Sequence, residues 1–418
     1  MRNKITLKVI IIVFYFLLIF ICLFSQLVLP ETLSDRRVFN VNTGTWYPTI
    51  KQAIYDSQTV DGHTLIVLEG TYHETVLVNK SLTIRGSSQE LTIIDADSSG
   101  SPIYISADYV KVENLTVQNS GQFFPNSGIY VDADNFSASN VTVKNCAIGI
   151  YFYHSNGSNI YNCDVKHCLF GIWLDHSSGN NYVVNCNILS NKQYGVYVGT
   201  LSYSNTFKLN NISNNSCGIG FSHSSSNSIF ANNFLENSRD VTSYSSINNW
   251  NYGAEGNFWG SHNLTDKNRD GICDSPFVID ADNVDPFPFA GQVNFFAEYH
   301  VMIVSNSTIR KFEYFQSNNS LRFLVYKLLP NQFYGFCRVC IPHNLLKVDE
   351  LSVVIDKGNT IALHQNRSLY ENGTHTWIYF AYPFNEAESH EVLIIPEIAN
   401  FGIYITFLGC SAAILLIK

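Results

Sequence analysis

Residues 128–221 repeat one short pattern five times: Gly128-Ile-Tyr-Val, Gly149-Ile-Tyr-Phe, Gly171-Ile-Trp-Leu, Gly195-Val-Tyr-Val and Gly218-Ile-Gly-Phe. The successive glycines stand 21, 22, 24 and 23 residues apart. A repeat of this length is typical of a solenoid, in which each repeat forms one turn and packs mainly on its two neighbours. The pattern therefore predicts a stack of similar turns.

A second short strand recurs between these patterns. It is found in Asn114-Leu-Thr-Val, Asn140-Val-Thr-Val, Cys163-Asp-Val, Cys186-Asn-Ile, Asn211-Ile and Asn233-Phe. Two short strands per repeat, separated by Asn, Ser and Gly, predict an all-β fold: a right-handed, single-stranded parallel β-helix. Because side chains alternate along a strand and stacked turns lie about 4.8 Å apart, Ile129, Ile150 and Ile172 are expected to form one inward apolar column.

The turn after the second strand carries a recurring position, occupied by Cys146, Cys168, Asn191, Asn215 and Asn237. An Asn amide at such a position can bond both to neighbouring backbone and to the next turn, so an Asn column in the wall is expected. For the cysteine pairs on adjacent turns two alternatives stay open: disulfides, or buried free thiols that behave as small apolar residues.

The chain is predicted to contain two folded regions. Residues 38–292 form the β-helix, with an N-terminal cap that includes the amphipathic stretch Ile50-Lys-Gln-Ala-Ile-Tyr and with an Asp-rich closing segment. Residues 296–396 contain alternating stretches such as Leu321-Arg-Phe-Leu-Val-Tyr. Alternation of this kind is typical of antiparallel strands, so we expect a small β-sandwich here.

Both ends of the chain are apolar and predict export. Arg2, Lys4 and Lys8 precede a long apolar run, so residues 1–30 are either a cleaved signal peptide or a retained signal anchor. Residues 397–418 are predicted to be a C-terminal transmembrane anchor, with a buried terminal strand as the alternative. Terminal apolar helices of this kind would make the membrane a partner and place the protein at the cell surface, on the extracellular face.

Composition excludes one class of partner. Hydrophobic residues make up 46% of the chain, charged residues only 14%, and the net charge is −9. The basic surface that nucleic-acid binding requires is absent, so no nucleic-acid partner is expected.

Three segments near residue 270 resemble the closing segment of the NosD family of periplasmic copper-binding-protein β-helices. They are Gly256-Asn-Phe-Trp-Gly, Asp266-Lys-Asn-Arg-Asp-Gly-Ile-Cys-Asp and Asp285-Pro-Phe-Pro-Phe. The cap stretch Gly70-Thr-Tyr-His-Glu also resembles carbohydrate-binding and sugar-hydrolysing β-helices, and Gly335-Phe-Cys resembles sandwich modules of archaeal surface proteins. The resemblance implies the β-helix over roughly residues 45–290 and, for NosD proteins proper, a copper-accessory role. Only Met1 and Met302 are methionines, so the soft ligands that suit copper(I) are scarce.

An aromatic residue stands at the same outward position in four repeats: Tyr130, Tyr151, Trp173 and Tyr197. Sugars stack on such rings, whose polar edges can also form hydrogen bonds. Asp132 and Asp175 follow two residues later, within reach of sugar hydroxyls. The residues therefore predict a carbohydrate-binding wall; the alternative is a row of rings that stacks on itself or lies under a loop.

Two groups of residues suggest metal ions. Asp266, Asn268, Asp270 and Asp274 supply oxygen ligands at calcium-loop spacing, with the carbonyl of Ile272 as a further ligand, although the usual final Glu is missing. The alternative is an Asx-rich turn that ends the solenoid.

Histidines share one register five residues after the repeat glycine. Of these, His154 and His176 stand on adjacent turns, where two imidazoles could bind copper(II) or zinc. The alternative is a solvated turn position.

These features together predict a membrane-anchored surface β-helix that binds polysaccharide or a cell-surface glycan. The alternatives are a NosD-like copper-binding accessory protein, a structural or adhesive surface protein, and a polysaccharide lyase or hydrolase. Asp132, Asp175 and Glu113 are catalytic candidates by location alone, and no basic residue is matched to them in register, so catalytic residues are not assigned.

Overall fold

The computed structural model describes residues 36–262, 265–346, 351–356, 359–362, 368–384 and 387–396, with backbone only for 359–362 and 368–371. In this part the chain has one six-residue helix, and every other regular element is a strand. The predicted all-β class is therefore confirmed. The predicted terminal helices, in residues 1–30 and 397–418, lie outside the described residues. Among the described residues, no helix has the length and apolarity needed to span a bilayer.

The chain folds into two compact units. The first unit runs to Thr206 and also contains Asn214–Ser225 and Thr242–Ser246. The second contains Phe207–Ser213, Ser226–Val241 and the residues from Ile247 onward.

Three parallel faces, which we call faces A, B and C, run along the first unit. Face A is one eight-stranded sheet: Val76–Val78, Ile103–Ile105, Ser127–Val131, Ile148–Tyr153, Phe170–Asp175, Tyr194–Val198, Cys217–Ser222 and Arg239–Tyr244. Face B contains Thr64–Val67, Thr83–Gly86, Asn159–Tyr161 and Tyr182–Val184. Face C contains Gly70–His73, Thr92–Asp95, Asp164–Lys166 and Asn187–Leu189. Two long strands belong to both face B and face C: Lys111–Gln118 and Ser137–Lys144. Two short strands precede the first turn: Val38–Asn40 and Thr45–Tyr47.

The predicted parallel β-helix is confirmed, but the prediction of two strands per turn is wrong. Face A and face C were predicted, whereas face B was missed. Its later strands are only three residues long, with one buried residue between two that are at least partly exposed, as in Asn159-Ile-Tyr. A single apolar residue gives no alternation, so the period-two signal on which strand prediction depends is absent there.

The register of face A confirms the inward columns. Ile129 pairs with Ile150, and Ile150 pairs with Ile172 on the following turn. All three side chains are fully buried. The repeat glycine is required by close packing, because a Cβ on Gly149 would lie 2.4 Å from the carbonyl oxygen of Gly171.

Asparagine ladders hold neighbouring turns together, as predicted. The Asn191 Oδ1 accepts from the amide of Cys168, and the Asn191 amide donates to Asn215 Oδ1 at 2.9 Å. A second ladder that the sequence reasoning missed joins Asn181 to Asn205 on another corner of the turns. All eight described cysteines are buried free thiols, which is the second of the two alternatives for the cysteine pairs.

The N-terminal cap is built on the predicted helix, Ile50–Tyr55. Thr49 caps its first turn, and the Glu74 carboxylate accepts from the amides of Ile50 and Lys51. At the other end the Lys80 ammonium donates to three backbone carbonyls, including that of Ile54 at 2.7 Å. A carboxylate at the N-terminus and an ammonium at the C-terminus both stabilise a helix, so its exposed face is held in a fixed place.

The second unit contains short strands followed by two antiparallel sheets. The short strands are Thr206–Lys208, Asn211–Ser213, Ser228–Phe230, Asn233–Leu235, Phe258–Trp259, Phe277–Val278 and Val284–Asp285. One five-stranded sheet contains Gln292–Phe296, Val301–Ser305, Tyr334–Pro342, Ser368–Glu371 and His375–Pro383. The other contains Ser307–Phe315, Ser320–Lys327, Leu351–Ile355, Asn359–Ala362 and Ser389–Pro396. Phe323, Val339 and Phe380 are among the residues of the core between them.

The closing segment of the second unit is organised by one buried carboxylate. Asp285 accepts hydrogen bonds from the Asn257 amide, the Trp259 indole and the Phe287 amide. Burial raises the pKa of Asp285 to about 6, although these three donors act in the opposite direction. The Gly-Asn-Phe-Trp and Asp-Pro-Phe motifs are thus two halves of one hydrogen-bonded cluster.

Candidate functional site

Face A carries a continuous row of packed aromatic rings, which we call the aromatic ladder; the first two rings stack, and each later pair meets edge to face. In order along the turns it contains Tyr104, Tyr130, Tyr151, Trp173 and Tyr197. Successive ring centroids are 4.7, 5.3, 5.5 and 5.3 Å apart. The structure therefore brings together the four predicted rings. Tyr104 was missed because Ile103-Tyr104-Ile105 follows Pro102 rather than the repeat glycine, although its alternation matches that of the later turns.

A groove of about 540 Å³ opens over the first two rings of the ladder. It is lined by Lys51, Tyr55, Thr75, Val76, Leu77, Ser99, Gly100, Ser101, Tyr104, Pro125, Asn126 and Tyr130. Tyr104 and Tyr130 contribute stacked aromatic surface, and Lys51 and Tyr55 come from the cap helix. The groove thus combines aromatic faces with hydroxyls, one amide and one ammonium, which is the chemistry that binds sugars.

The polar groups of the groove are fixed as hydrogen-bond donors. The Tyr104 hydroxyl donates to the Asp132 carboxylate at 3.2 Å. Burial raises the pKa of Tyr104, with the Asp132 charge acting in the same direction. Burial raises the pKa of Tyr130 to about 12. Both phenols therefore keep their protons at neutral pH, while Asp132 stays exposed as an acceptor at the edge of the ladder.

Further along the ladder the rings are covered. Phe124 places its ring 5.7 Å from Tyr151 and 5.5 Å from Trp173, and Tyr151 is 1% exposed. Tyr197 is half-buried beside Phe170 and Tyr194. Both parts of the alternative interpretation are thus present, since the rings stack on one another and a loop covers part of the row.

The predicted histidines lie side by side on face A. The ring centroids of His154 and His176 are 5.7 Å apart, and Tyr153 contacts both rings. His176 Nδ1 lies 3.0 Å from the Asp175 carboxylate. Asp175 is only 9% exposed. Its carboxylate is therefore a partner of this histidine as well as a neighbour of the ladder.

A second group of metal-ligand side chains was missed in the sequence. His73, Asp95 and Asp97 place one ligand atom each within 4.8 Å of one another. His73 pairs with Asp95 across face C, and its Nδ1 lies 2.8 Å from Asp97. Among the described residues no other group of three His, Cys, Asp or Glu side chains has this geometry. Extending the repeat back into the cap would have found it, because His73 and Asp95 are 22 residues apart.

The Asp-rich loop uses its carboxylates to bind its own backbone. Asp266 accepts from the amides of Asp270 and Gly271, Asp270 from that of Ile272, and Asp274 from that of Lys267. Asn268 donates to Asp270 at 3.1 Å. The Asp270 carbonyl also accepts from Arg338 at 2.8 Å. The geometry shown is that of a tight Asx-rich turn.

The sequence matches one protein family and one relative among curated proteins. The NosD family, described as a periplasmic copper-binding protein, matches residues 71–264. A cell surface glycoprotein of Methanothermus fervidus is 42% identical over 81 residues. This match covers 19% of the present chain and only 13% of the glycoprotein.

Solved structures match this chain at low identity and with low TM-scores. An alginate lyase from Paenibacillus sp. str. FPU-7 is 13% identical, with a TM-score of 0.40, over 44% of this chain and 72% of its own. A DFA-IIIase from Arthrobacter chlorophenolicus A6 is 13% identical, with a TM-score of 0.37, over 44% of this chain and 56% of its own. Residues 71–264 thus match the NosD family model, and the parallel turns of the structure lie in the same region.

Proposed function

We propose that this protein binds polysaccharide or a cell-surface glycan along face A. The observation that carries the proposal is the groove, in which two stacked tyrosines adjoin a cap helix that presents Lys51 and Tyr55. In the open groove Tyr130 would stack on a sugar ring, and Tyr151 and Trp173, which Phe124 covers, would with Tyr197 continue the same wall. Asp132 and Asp175 would accept from sugar hydroxyls. None of the described residues that line the groove is a carboxylate or histidine, so binding is favoured over hydrolysis or elimination.

The charge of the groove favours acidic sugars. Lys51 is the one charged residue among the described residues that line it. Its ammonium lies 6.0 Å from the centre of the Tyr55 ring, on the exposed side of the cap helix. A uronate carboxylate could therefore pair with Lys51 while its ring stacks on the tyrosines. Lys51→Ala should weaken binding of uronate polymers more than binding of neutral ones.

The site is tested by replacing one ring. Tyr130→Ala removes one of the two stacked rings of the groove, and a loss of glycan affinity of roughly tenfold is expected from about 1.4 kcal/mol of stacking. The matched control is Tyr182→Ala, because Tyr182 is 48% exposed on face B, away from the ladder. Equal affinity of the Tyr130→Ala variant and the wild type would place the binding site elsewhere.

We further propose that the protein acts at the cell surface. The matching family is described as periplasmic, and the archaeal relative is a cell surface glycoprotein. Export through residues 1–30 and anchoring through residues 397–418 would place the groove outside the membrane. Protease accessibility of residues 36–396 in intact cells tests this placement.

Copper(II) binding is the second candidate function. It is supported by the family description and by two groups of ligands, His73 with Asp95 and Asp97, and His154 with His176. Nitrogen and carboxylate ligands suit copper(II), whereas the described cysteines are buried. Electron paramagnetic resonance of the full chain titrated with copper(II) should show nitrogen coordination.

Single variants assign the copper ligands. His73→Ala and His154→Ala each remove one group, and His262→Ala is the control because His262 is an exposed histidine outside both. Spectra that are unchanged in both test variants would exclude these sites.

Calcium in the loop Asp266–Asp274 remains a separate proposal. The carboxylates already hold the loop in a tight turn, so an ion would need to replace some of their backbone hydrogen bonds. Chelation by EDTA should lower the unfolding temperature if calcium is bound.

A further inference from the structure

Two neighbouring turns of the first unit have a longer connection than the later turns at the same place. Between the face C strand and the face A strand, three turns have three or four residues: 145–147, 167–169 and 190–193. The corresponding connection between Asp95 and Ile103 contains seven residues, and the longest one, between Gln118 and Ser127, contains the eight residues 119–126. Extra residues in a single repeat of a solenoid form a surface loop and commonly lie beside the binding face. This loop lies beside the groove, which Pro125 and Asn126 line.

The tip of this loop covers two rings of the aromatic ladder with an exposed phenylalanine. Phe124 is 62% exposed, yet its ring packs on Tyr151 and Trp173. Exposing most of one face of an aromatic ring to water forfeits much of the free energy that its burial would provide. The contact therefore occludes the ladder at little gain to the stability of the fold.

The two covered rings each hold an unused hydrogen-bond donor. The Tyr151 hydroxyl and the Trp173 indole nitrogen are buried and have no hydrogen-bond partner among the described residues. A buried donor without an acceptor is rare, because it loses the hydrogen bonds it would make with water. Phe124 offers only carbon atoms to both rings, whereas a sugar ring would offer similar stacking area together with hydroxyl acceptors.

The loop is anchored at its ends and free at its tip. The Gly121 amide donates to the Gly100 carbonyl, and the Ser127 amide donates to the Ser101 hydroxyl. At the tip, the Asn126 amide donates to the Phe123 carbonyl, within the loop itself. Residues 122–125 could therefore lift from the ladder while both ends of the loop stay in place.

We propose that residues 122–125 form a flap that a bound oligosaccharide displaces, after which Tyr151 and Trp173 bind further sugar residues of the same chain. This inference rests on the proposed function of the groove, since it extends that site by two turns. The open groove at Tyr104 and Tyr130 takes the first sugars. The covered rings become a second subsite for longer ligands, with the Tyr151 hydroxyl and the Trp173 indole donating to sugar hydroxyls.

The test compares short and long sugars on three variants of the full chain. The probes are the disaccharide and hexasaccharide of mannuronate and of cellulose, with affinities measured by calorimetry. Phe124→Ala removes the covering ring; Tyr182→Ala is the control, because Tyr182 is 48% exposed on face B, away from the flap. Trp173→Phe keeps a ring but removes the indole donor. Acrylamide quenching of tryptophan emission reports whether the ladder has been uncovered in folded protein. Phe124→Ala is compared with the double variant Phe124→Ala/Trp173→Phe, because the difference between them is the emission of Trp173.

We expect Phe124→Ala to raise hexasaccharide affinity roughly 2- to 12-fold, the range that an aromatic pair interaction corresponds to, and to leave disaccharide affinity unchanged. Trp173→Phe should lower hexasaccharide affinity alone, and Tyr182→Ala should change neither affinity. Weaker hexasaccharide binding by Phe124→Ala would overturn the flap and make Phe124 a sugar contact. Equal binding of both sugars by wild type and Phe124→Ala would overturn the flap while the groove stands. Absence of binding by every variant would refute the groove itself and the flap with it.

Discussion

Replacement of Asn181 by Ala tests the ladders that join the turns of the β-helix. Asn181 is 1% exposed. Its Oδ1 accepts from the Ser158 amide at 2.8 Å, and its Nδ2 donates to the Ser155 carbonyl at 2.9 Å. Alanine leaves both backbone groups buried without these partners. The neighbouring Asn205 side chain keeps its bond from the Asn181 amide, which the substitution does not remove.

The expected loss follows from these two groups. A buried polar group that loses its partner lowers the free energy of unfolding by about 1–3 kcal/mol. We expect about 3 kcal/mol for the two groups together, since water can partly hydrate one of them. That energy corresponds to roughly a hundredfold change in an equilibrium constant. Asn159→Ala is the control, because Asn159 is exposed on face B, and a change within about 0.5 kcal/mol is expected there.

Two measurements report the effect. Urea unfolding should show a lower midpoint for Asn181→Ala than for Asn159→Ala, with similar slopes. Hydrogen exchange should show roughly a hundredfold loss of protection at the Ser158 amide, which loses its acceptor. A Ser158 amide that exchanges as slowly as in the wild type would refute the reasoning, because it would show that the ladder bond contributes nothing at this site.

Three further predictions concern pH and metal ions. Burial raises the pKa of Asp285 to about 6, so the folded state binds the carboxyl proton of Asp285 more tightly than the unfolded chain does. The stability that this proton contributes is complete below about pH 4 and is lost as the pH rises through 6. Thermal unfolding from pH 4.5 to 7.5 should therefore show a loss of about 2 kcal/mol that Asp285→Asn removes, and identical pH profiles would contradict it. His73→Ala should abolish one copper(II) signal in paramagnetic resonance, whereas retention of every signal would exclude the cluster. EDTA should lower the unfolding temperature of the wild type but not of Asp270→Ala; no shift on chelation would count against calcium.

The stack of turns was predictable from the sequence because each turn repeats the same inward residues. Ile129, Ile150 and Ile172 give a strong periodic signal, and their register follows directly from strand alternation. The Asn191–Asn215 ladder was predictable for the same reason, since one residue type recurs at one position. Face B was not predictable, because one buried residue such as Ile160 carries no period.

The candidate site was predictable only in part. The rings from Tyr130 to Tyr197 were found by their register, but the groove depends on the cap helix, and no repeat links Lys51 to face A. Phe124 lies in an insertion, where comparison of repeats has nothing to align. The cover over Tyr151 and Trp173 therefore appears only when the loop is placed in three dimensions.

The central claim is that face A binds glycan through the groove. The most direct measurement is affinity electrophoresis of the purified full chain through gels that contain neutral or uronate polysaccharides, with wild type, Tyr130→Ala and Tyr182→Ala run side by side. A uronate polymer should retard the wild type and Tyr182→Ala equally, and should retard Tyr130→Ala clearly less, in line with its roughly tenfold lower affinity. Absence of retardation by any polymer, or equal retardation of all three proteins, would contradict the claim and favour copper binding or a structural role at the surface.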